Sequence, residues 1–181
     1  MKIETITEDA QEAIISLLNE ALLIEHNCLL NYPRMIDTIV HWNNINDEML
    51  VKELNRLGRD SLKHFNEAIK LIEKLGGETT WQAPPIERLA DAKQCLEKQL
   101  DKEYKAIELY KEALHISMKN KKTVEVREFF DKLIRMERGL AEDVIEADYV
   151  IEFFNRQINE EKNHVKIIKD LLPTLTMLLG K

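Results

Sequence analysis

The sequence predicts an all-α fold, a helical bundle with a long connection between its second and third helices. Three observations carry that prediction. The chain of 181 residues is 44% hydrophobic and 33% charged with only 5 Gly and 4 Pro, which suits long helices better than a β-sandwich or a disordered chain. Its apolar residues recur at alternating four- and three-residue spacings, the mark of one buried stripe along a helix. Stretches rich in turn formers separate these runs, and the one through Thr79, Trp81, Pro84 and Pro85 is long enough for a crossover.

The first helix is expected over about residues 8–40. Thr7 suits the N-cap, and Glu8 and Asp9 fall in the first turn, where the helix dipole favours them. Its seam reads Ile14, Leu18, Ala21, Glu25, Cys28 and Tyr32, and Pro33 should kink or end it. Trp42 to Asp47 reads as a loop. A second helix, about 48–75, has the seam Leu50, Leu54, Leu57, Ser61, His64, Ala68, Leu71 and Leu75 and stops at Gly76-Gly77. The third, about 88–118, carries Leu96, Leu100, Glu103, Ile107, Tyr110 and Leu114. The first and third helices both read Leu-x-x-x-Leu-x-x-Glu, with a tyrosine seven residues after the glutamate, as two related helix pairs would.

The last third contains a repeat. Val126-Arg127-Glu128-Phe129-Phe130 matches Val150-Ile151-Glu152-Phe153-Phe154 at an offset of 24 residues, and Glu137 matches Glu161. Leu140 stands where the second copy has His164. Either one helix of about 45 residues, some 70 Å long, runs through both copies, or the chain folds back near 139–145. The second option suits one compact domain over 1–181, with an extra helix at about 123–140 and the last helix at about 144–172.

Glu25, Glu103, His64 and the pair Glu161/His164 each replace an apolar residue in register. A carboxylate facing a bundle core costs several kcal/mol unless it is neutralised. Lysines or the two histidines could do this as ion pairs. So could a pair of metal ions, for which bundles supply one Glu from each of two helices and a Glu-x-x-His from each of the others. Carboxylates tolerate Fe, Mn and Mg, and imidazoles bias the choice towards Fe and Zn. His26, His41 and His115 lack ligand spacing and read as surface or cap residues; Trp42 and Trp81 read as caps of the bundle ends. Tyr32 and Tyr110 read as bundle tyrosines whose hydroxyls reach solvent, with a place beside the site as the alternative.

In this order of features the chain resembles the ferritin-like superfamily, most closely its bacterioferritin and rubrerythrin branch. The resemblance runs from about residue 8 to 172: Leu18-Asn19 through Glu25, then His64 through Gly77, then Glu103 through Leu114, then Glu160-Glu161-Lys162-Asn163-His164. It implies an antiparallel four-helix bundle with a long crossover between the second and third helices, and metal ligation by Glu25 and His64 on one side, Glu103 and His164 on the other, and Glu161 between two ions. The family's second bridging glutamate would stand at position 61, where this chain has Ser61, one residue after Asp60. By spacing from Glu103 the fourth-helix glutamate would be Glu137; by chemistry it is Glu161, which keeps an imidazole three residues on.

The resemblance implies iron, as one or two ions with Mn or Zn as alternatives, and oxidation of ferrous iron by oxygen or peroxide. It also implies a homo-oligomer. A metal-free bundle acting as scaffold or oligomerisation module is the competing reading, and an oxygenase acting on an organic substrate is a third. The net charge of −7 argues against nucleic acid, and Lys119-Asn120-Lys121-Lys122 reads as a solvated turn. Cys28 and Cys95 form no C-x-x-C and read as reduced core thiols. The N-terminal segment lacks the apolar core of a signal peptide and no uninterrupted apolar run approaches about 20 residues, so a cytoplasmic protein away from the membrane is expected.

Overall fold

The computed structural model describes residues 2–80, 82, 92–125 and 146–180. Strand β1 (Lys2–Ile6) precedes helix α1 (Glu8–Asp37), which continues as a π-helical turn over Thr38–Trp42. Helices α2 (Glu48–Lys74) and α3 (Ala92–Lys119) follow, then strand β2 (Lys121–Glu125) and helix α4 (Ala147–Leu179).

Cross-helix contacts fix the directions. On α1 and α2, Ile15 lies beside Gly77, Glu25 beside His64 and Tyr32 beside Gly58, so the two are antiparallel. Tyr32 meets Glu103 and Tyr110 meets Glu25, which makes α1 and α3 antiparallel. Asp60 meets His164 and Lys74 meets Tyr149, so α2 and α4 run oppositely as well. The end of α2 therefore lies near Ile15 and the start of α3 near the end of α1. These points are about 25 helical residues apart, or ~37 Å. A crossover along the bundle must join them, as the break in periodicity predicts.

The core is a continuous stripe. Ile14, Leu18, Leu54, Leu57, Leu71, Phe154 and Ile168 are among its fully buried members. Each aliphatic side chain of this kind contributes about 1.5–3 kcal/mol on leaving water. Both cysteines are free and buried, as expected. Asp47 caps α2 by accepting from the Leu50 amide at 2.9 Å, and Gly76 at φ 74° turns the chain out of it.

Several expectations need correction. The extra helix was to begin at 123, but Lys121–Glu125 is extended and pairs antiparallel with β1, Thr5 opposite Lys122. The rest of that segment, with Glu137 and Leu140, lies outside the described residues, as does Trp81. Lys121 is accordingly not in a solvated turn: it bridges Glu4 at 2.6 Å and Asp148 at 3.6 Å. Pro33 neither ends α1 nor stops its burial, since Met35 and Ile39 beyond it are fully buried. Likewise α4 passes through Pro173 because Leu175 still has a buried place to fill. Trp42 is 82% exposed and caps nothing. The segment Glu8–Trp42 is long and apolar enough to cross a membrane by length and composition. Its apolar stripe packs against α2 and α3, which accounts for that composition within the bundle.

Candidate metal centre

All five residues singled out from the apolar seams meet in the middle of the bundle, and all are buried: Glu25, His64, Glu103, Glu161 and His164. Each sits where its helix would otherwise present a leucine, so folding the stripe inward carries the polar group with it. Of the two repeat copies, the second supplies the bundle glutamate, Glu161.

The geometry divides into two halves with Glu161 between them. Its Oε1 lies 2.7 Å from His64 Nδ1, and its Oε2 lies 3.1 Å from His164 Nδ1. On one side Glu25 Oε1 is 3.6 Å from His64 Nδ1; on the other Glu103 Oε2 is 3.3 Å from His164 Nδ1. The two imidazoles stack at 5.2 Å between centroids. One donor atom from each of His64, Glu161 and His164 lies within 4.8 Å of the others, close enough to share an ion.

A second layer repeats the twofold pattern. Tyr32 donates to Glu103 Oε1 at 2.7 Å, and Tyr110 donates to Glu25 Oε1 at 3.3 Å. Neither hydroxyl reaches solvent, contrary to the first of the two expectations for them; both side chains are buried and hold the carboxylates. The far nitrogens of the histidines are held too: His64 Nε2 is 2.7 Å from Glu160 Oε2, and His164 Nε2 is 3.4 Å from Asp60 Oδ2. Such outer carboxylates fix the ring so that Nδ1 faces inward. Glu160 was missed from the sequence; its signal was its place beside Glu161, matching Asp60 beside Ser61. The pattern lacks one inner carboxylate, since Ser61 takes the position on α2 that matches Glu161 on α4.

His26 is half-buried against Phe65, with ring centroids 5.5 Å apart. His41 lies at the surface 3.7 Å from Asp37, and His115 is exposed. None of the three joins the centre.

The electrostatics follow from three carboxyls and two imidazoles in a dry space. Burial works to lower the pKa of His64, but the neighbouring Glu161 and Glu25 override it and push it up to about 12. Burial opposes the same change at His164, which Glu103 and Glu161 push up to about 10. Glu103 is held at about 2, against its burial, by hydrogen bonds with Glu161, His164 and Tyr32. Glu161 goes the other way: burial, then the charges of Glu25 and Glu103, raise it well above the usual carboxylate range.

These donors fit a metal pair. The 2.7 Å approach of Glu161 Oε1 to His64 Nδ1 lacks hydrogen-bond geometry, so both atoms are buried with no hydrogen-bond partner among the described residues. Ser61 Oγ is orphaned in the same way. Unsatisfied inward-facing donors cost about 1–3 kcal/mol each unless something binds them, and a cation between them would. A cleft of about 580 Å³ between α2 and α4, lined by residues that include Asp60, Lys63, Arg156, Asn159, Asn163 and His164, reaches the outer side of His164.

No family model and no curated protein matches the sequence. Solved structures do match the fold. A ferritin-like, diiron-carboxylate protein from Bacillus anthracis aligns with a TM-score of 0.64 at 18% identity, over 90% of this chain and 97% of that one. A bacterioferritin from Desulfovibrio desulfuricans, described with a diiron site in different catalytic states, gives 0.64 at 19% identity over 96% and 91%. The Rhodobacter capsulatus bacterioferritin, described with a metal-free dinuclear site and heme iron, gives 0.59 at 19% over 92% and 87%. The chain thus has the ferritin-like fold.

Proposed function

We propose that the protein binds a pair of metal ions, iron foremost with manganese or zinc as alternatives, inside this bundle. In this reading Glu25 and His64 hold one ion, Glu103 and His164 the other, and Glu161 bridges them. The observation that carries it is the posture of Glu161, one oxygen turned to each histidine while its Oε1 and His64 Nδ1 lack directed partners among the described residues. The five donors are borderline and hard, a set suited to iron.

When bound, a redox-active pair supplies electrons for the reduction of oxygen or peroxide. The chain's own residues do the rest. Asp60 and Glu160 keep each histidine Nδ1 facing inward, and Tyr32 and Tyr110 hold Glu103 and Glu25 at fixed angles. The cleft beside His164 is where we place the approach of small reactants. Leu23, Leu30 and Leu62, all exposed on α1 and α2, suit packing against a second copy, so we read the protein as a cytoplasmic homo-oligomer.

The test is elemental analysis after purification without chelator and reloading with ferrous iron, beside a Glu161→Ala/His164→Ala variant. About two irons per chain, lost in the variant, support the reading; oxygen consumption with iron as the only reductant then separates iron oxidation from turnover of an organic substrate. Metal no higher than in the variant overturns it and leaves a metal-free bundle, whose site the protonated imidazoles would hold by pairing with the carboxyls.

A further inference from the structure

Ser61 breaks an otherwise twofold centre, and the break has a definite chemistry. The same offset of 100 residues relates Asp60 to Glu160, Ser61 to Glu161 and His64 to His164, and 78 residues relate Glu25 to Glu103 and Tyr32 to Tyr110. At the position matching the bridging carboxylate, the chain offers only a hydroxyl. That hydroxyl is 0% exposed and has no hydrogen-bond partner among the described residues. It lies three residues before His64, on the same inward face of α2.

The charge count points the same way. Two divalent ions bring four positive charges, and Glu25, Glu103 and Glu161 return three. Asp60 and Glu160 do not supply the fourth, because each is matched by a cation: Arg56 lies 3.7 Å from Asp60 and Lys63 lies 2.8 Å from Glu160. A buried excess charge is costly. One monoanion would cancel it.

We propose that the metal-loaded centre binds one small exogenous monocarboxylate, of formate or acetate size, between the two ions on the side opposite Glu161, with Ser61 Oγ donating a hydrogen bond to it. The inference rests on the metal-pair reading above. Replacing glutamate by serine removes a planar carboxylate and adds a donor one carbon from the backbone carbon. The ligand that fits carries the missing group and accepts from that donor. The cleft between α2 and α4 reaches His164, one member of the centre, from solvent. No covalent step is involved; the carboxylate binds as an ion.

Zinc, which undergoes no redox change, isolates the question. The full-length protein is loaded with zinc, its metal content is measured, and radiolabelled acetate and formate are titrated by equilibrium dialysis. The expected result is one carboxylate per chain in the loaded protein and none in the metal-free protein. Ser61→Ala should weaken binding about tenfold or more, the effect of losing a hydrogen bond to a charged group. Ser61→Glu should abolish it while still holding two zinc ions, since its own side chain takes the place; circular dichroism confirms that each variant is folded. Two zinc ions without saturable carboxylate binding, or equal binding in wild type and both variants, would overturn the inference and leave the metal site standing. A chain that takes up no zinc overturns both.

Discussion

At the scale of single residues, the centre holds protons that the proposed metal would have to displace. His64 and His164 owe their raised pKa values to carboxyls they meet only in the fold, so their pairing stabilises the metal-free protein. That contribution is complete below the unfolded value near 6.5 and fades as pH rises through about 10 for His164 and about 12 for His64. The depressed Glu103 works in the opposite sense, contributing above its ordinary value and losing its contribution as pH falls towards about 2. Metal ligation needs neutral imidazoles, and both are raised above neutrality, so at neutral pH loading should release about two protons per chain from the histidines. Affinity should accordingly climb with pH. Calorimetric titration with zinc in buffers of different ionisation enthalpy measures the release; a value near zero would contradict the protonated centre. The five inward residues were legible in the sequence because a charged residue in an apolar register is conspicuous. The directions of the Tyr32 and Tyr110 hydroxyls were not, since they depend on the register between α1 and α3. Glu160 was hidden for another reason: one residue from the seam it reads as solvated, and only the fold brings His64 Nε2 to it.

At the scale of the elements, close approach of α1 and α2 depends on a residue with no side chain. A Cβ on Gly58 would lie 3.3 Å from Tyr32 Cβ, an atom anchored to the α1 backbone that cannot swing aside. Gly58→Leu should therefore force the two helices apart and cost about 1–3 kcal/mol by overpacking, more than the gain in helix propensity of ~1 kcal/mol. It should also loosen the hydrogen bond from Tyr32 to Glu103. Urea denaturation of the metal-free variant checks this, and unchanged stability would show that the contact relaxes cheaply. The helices were legible because their periodicity extends over many turns. Their ends were less so: Pro33 and Pro173 look like stops, yet buried residues beyond each, Met35 and Leu175, outweigh the lost hydrogen bond. The β1–β2 pair escaped notice because each strand is five residues long and gains its partner across more than a hundred residues of chain. No local pattern reports that pairing.

At the scale of the whole molecule, every helix supplies part of the proposed ligand set: Glu25 from α1, His64 from α2, Glu103 from α3, and Glu161 with His164 from α4. The bundle order was legible because four inward polar positions at similar depth imply four helices side by side, whereas the missing carboxylate at Ser61 carries meaning only once the twofold is visible. A metal bound by all four helices is lost if any one of them separates, so its binding energy adds to the stability of the entire bundle rather than of one hairpin. With free metal at a thousandfold above its dissociation constant, the gain is about 4 kcal/mol. For a domain of this size, 1 kcal/mol raises the melting temperature by about 2–4 °C, so zinc or ferrous iron should raise it by ~8–16 °C. The rise should vanish in a His64→Ala/His164→Ala variant. Hydrogen exchange gives the spatial test. Protection should increase near the middle of all four helices and little in β1, which contributes no ligand. Protection confined to α3 and α4 would instead mean that only the Glu103, Glu161 and His164 half binds an ion. An equal temperature rise in the variant would place the metal outside the bundle core.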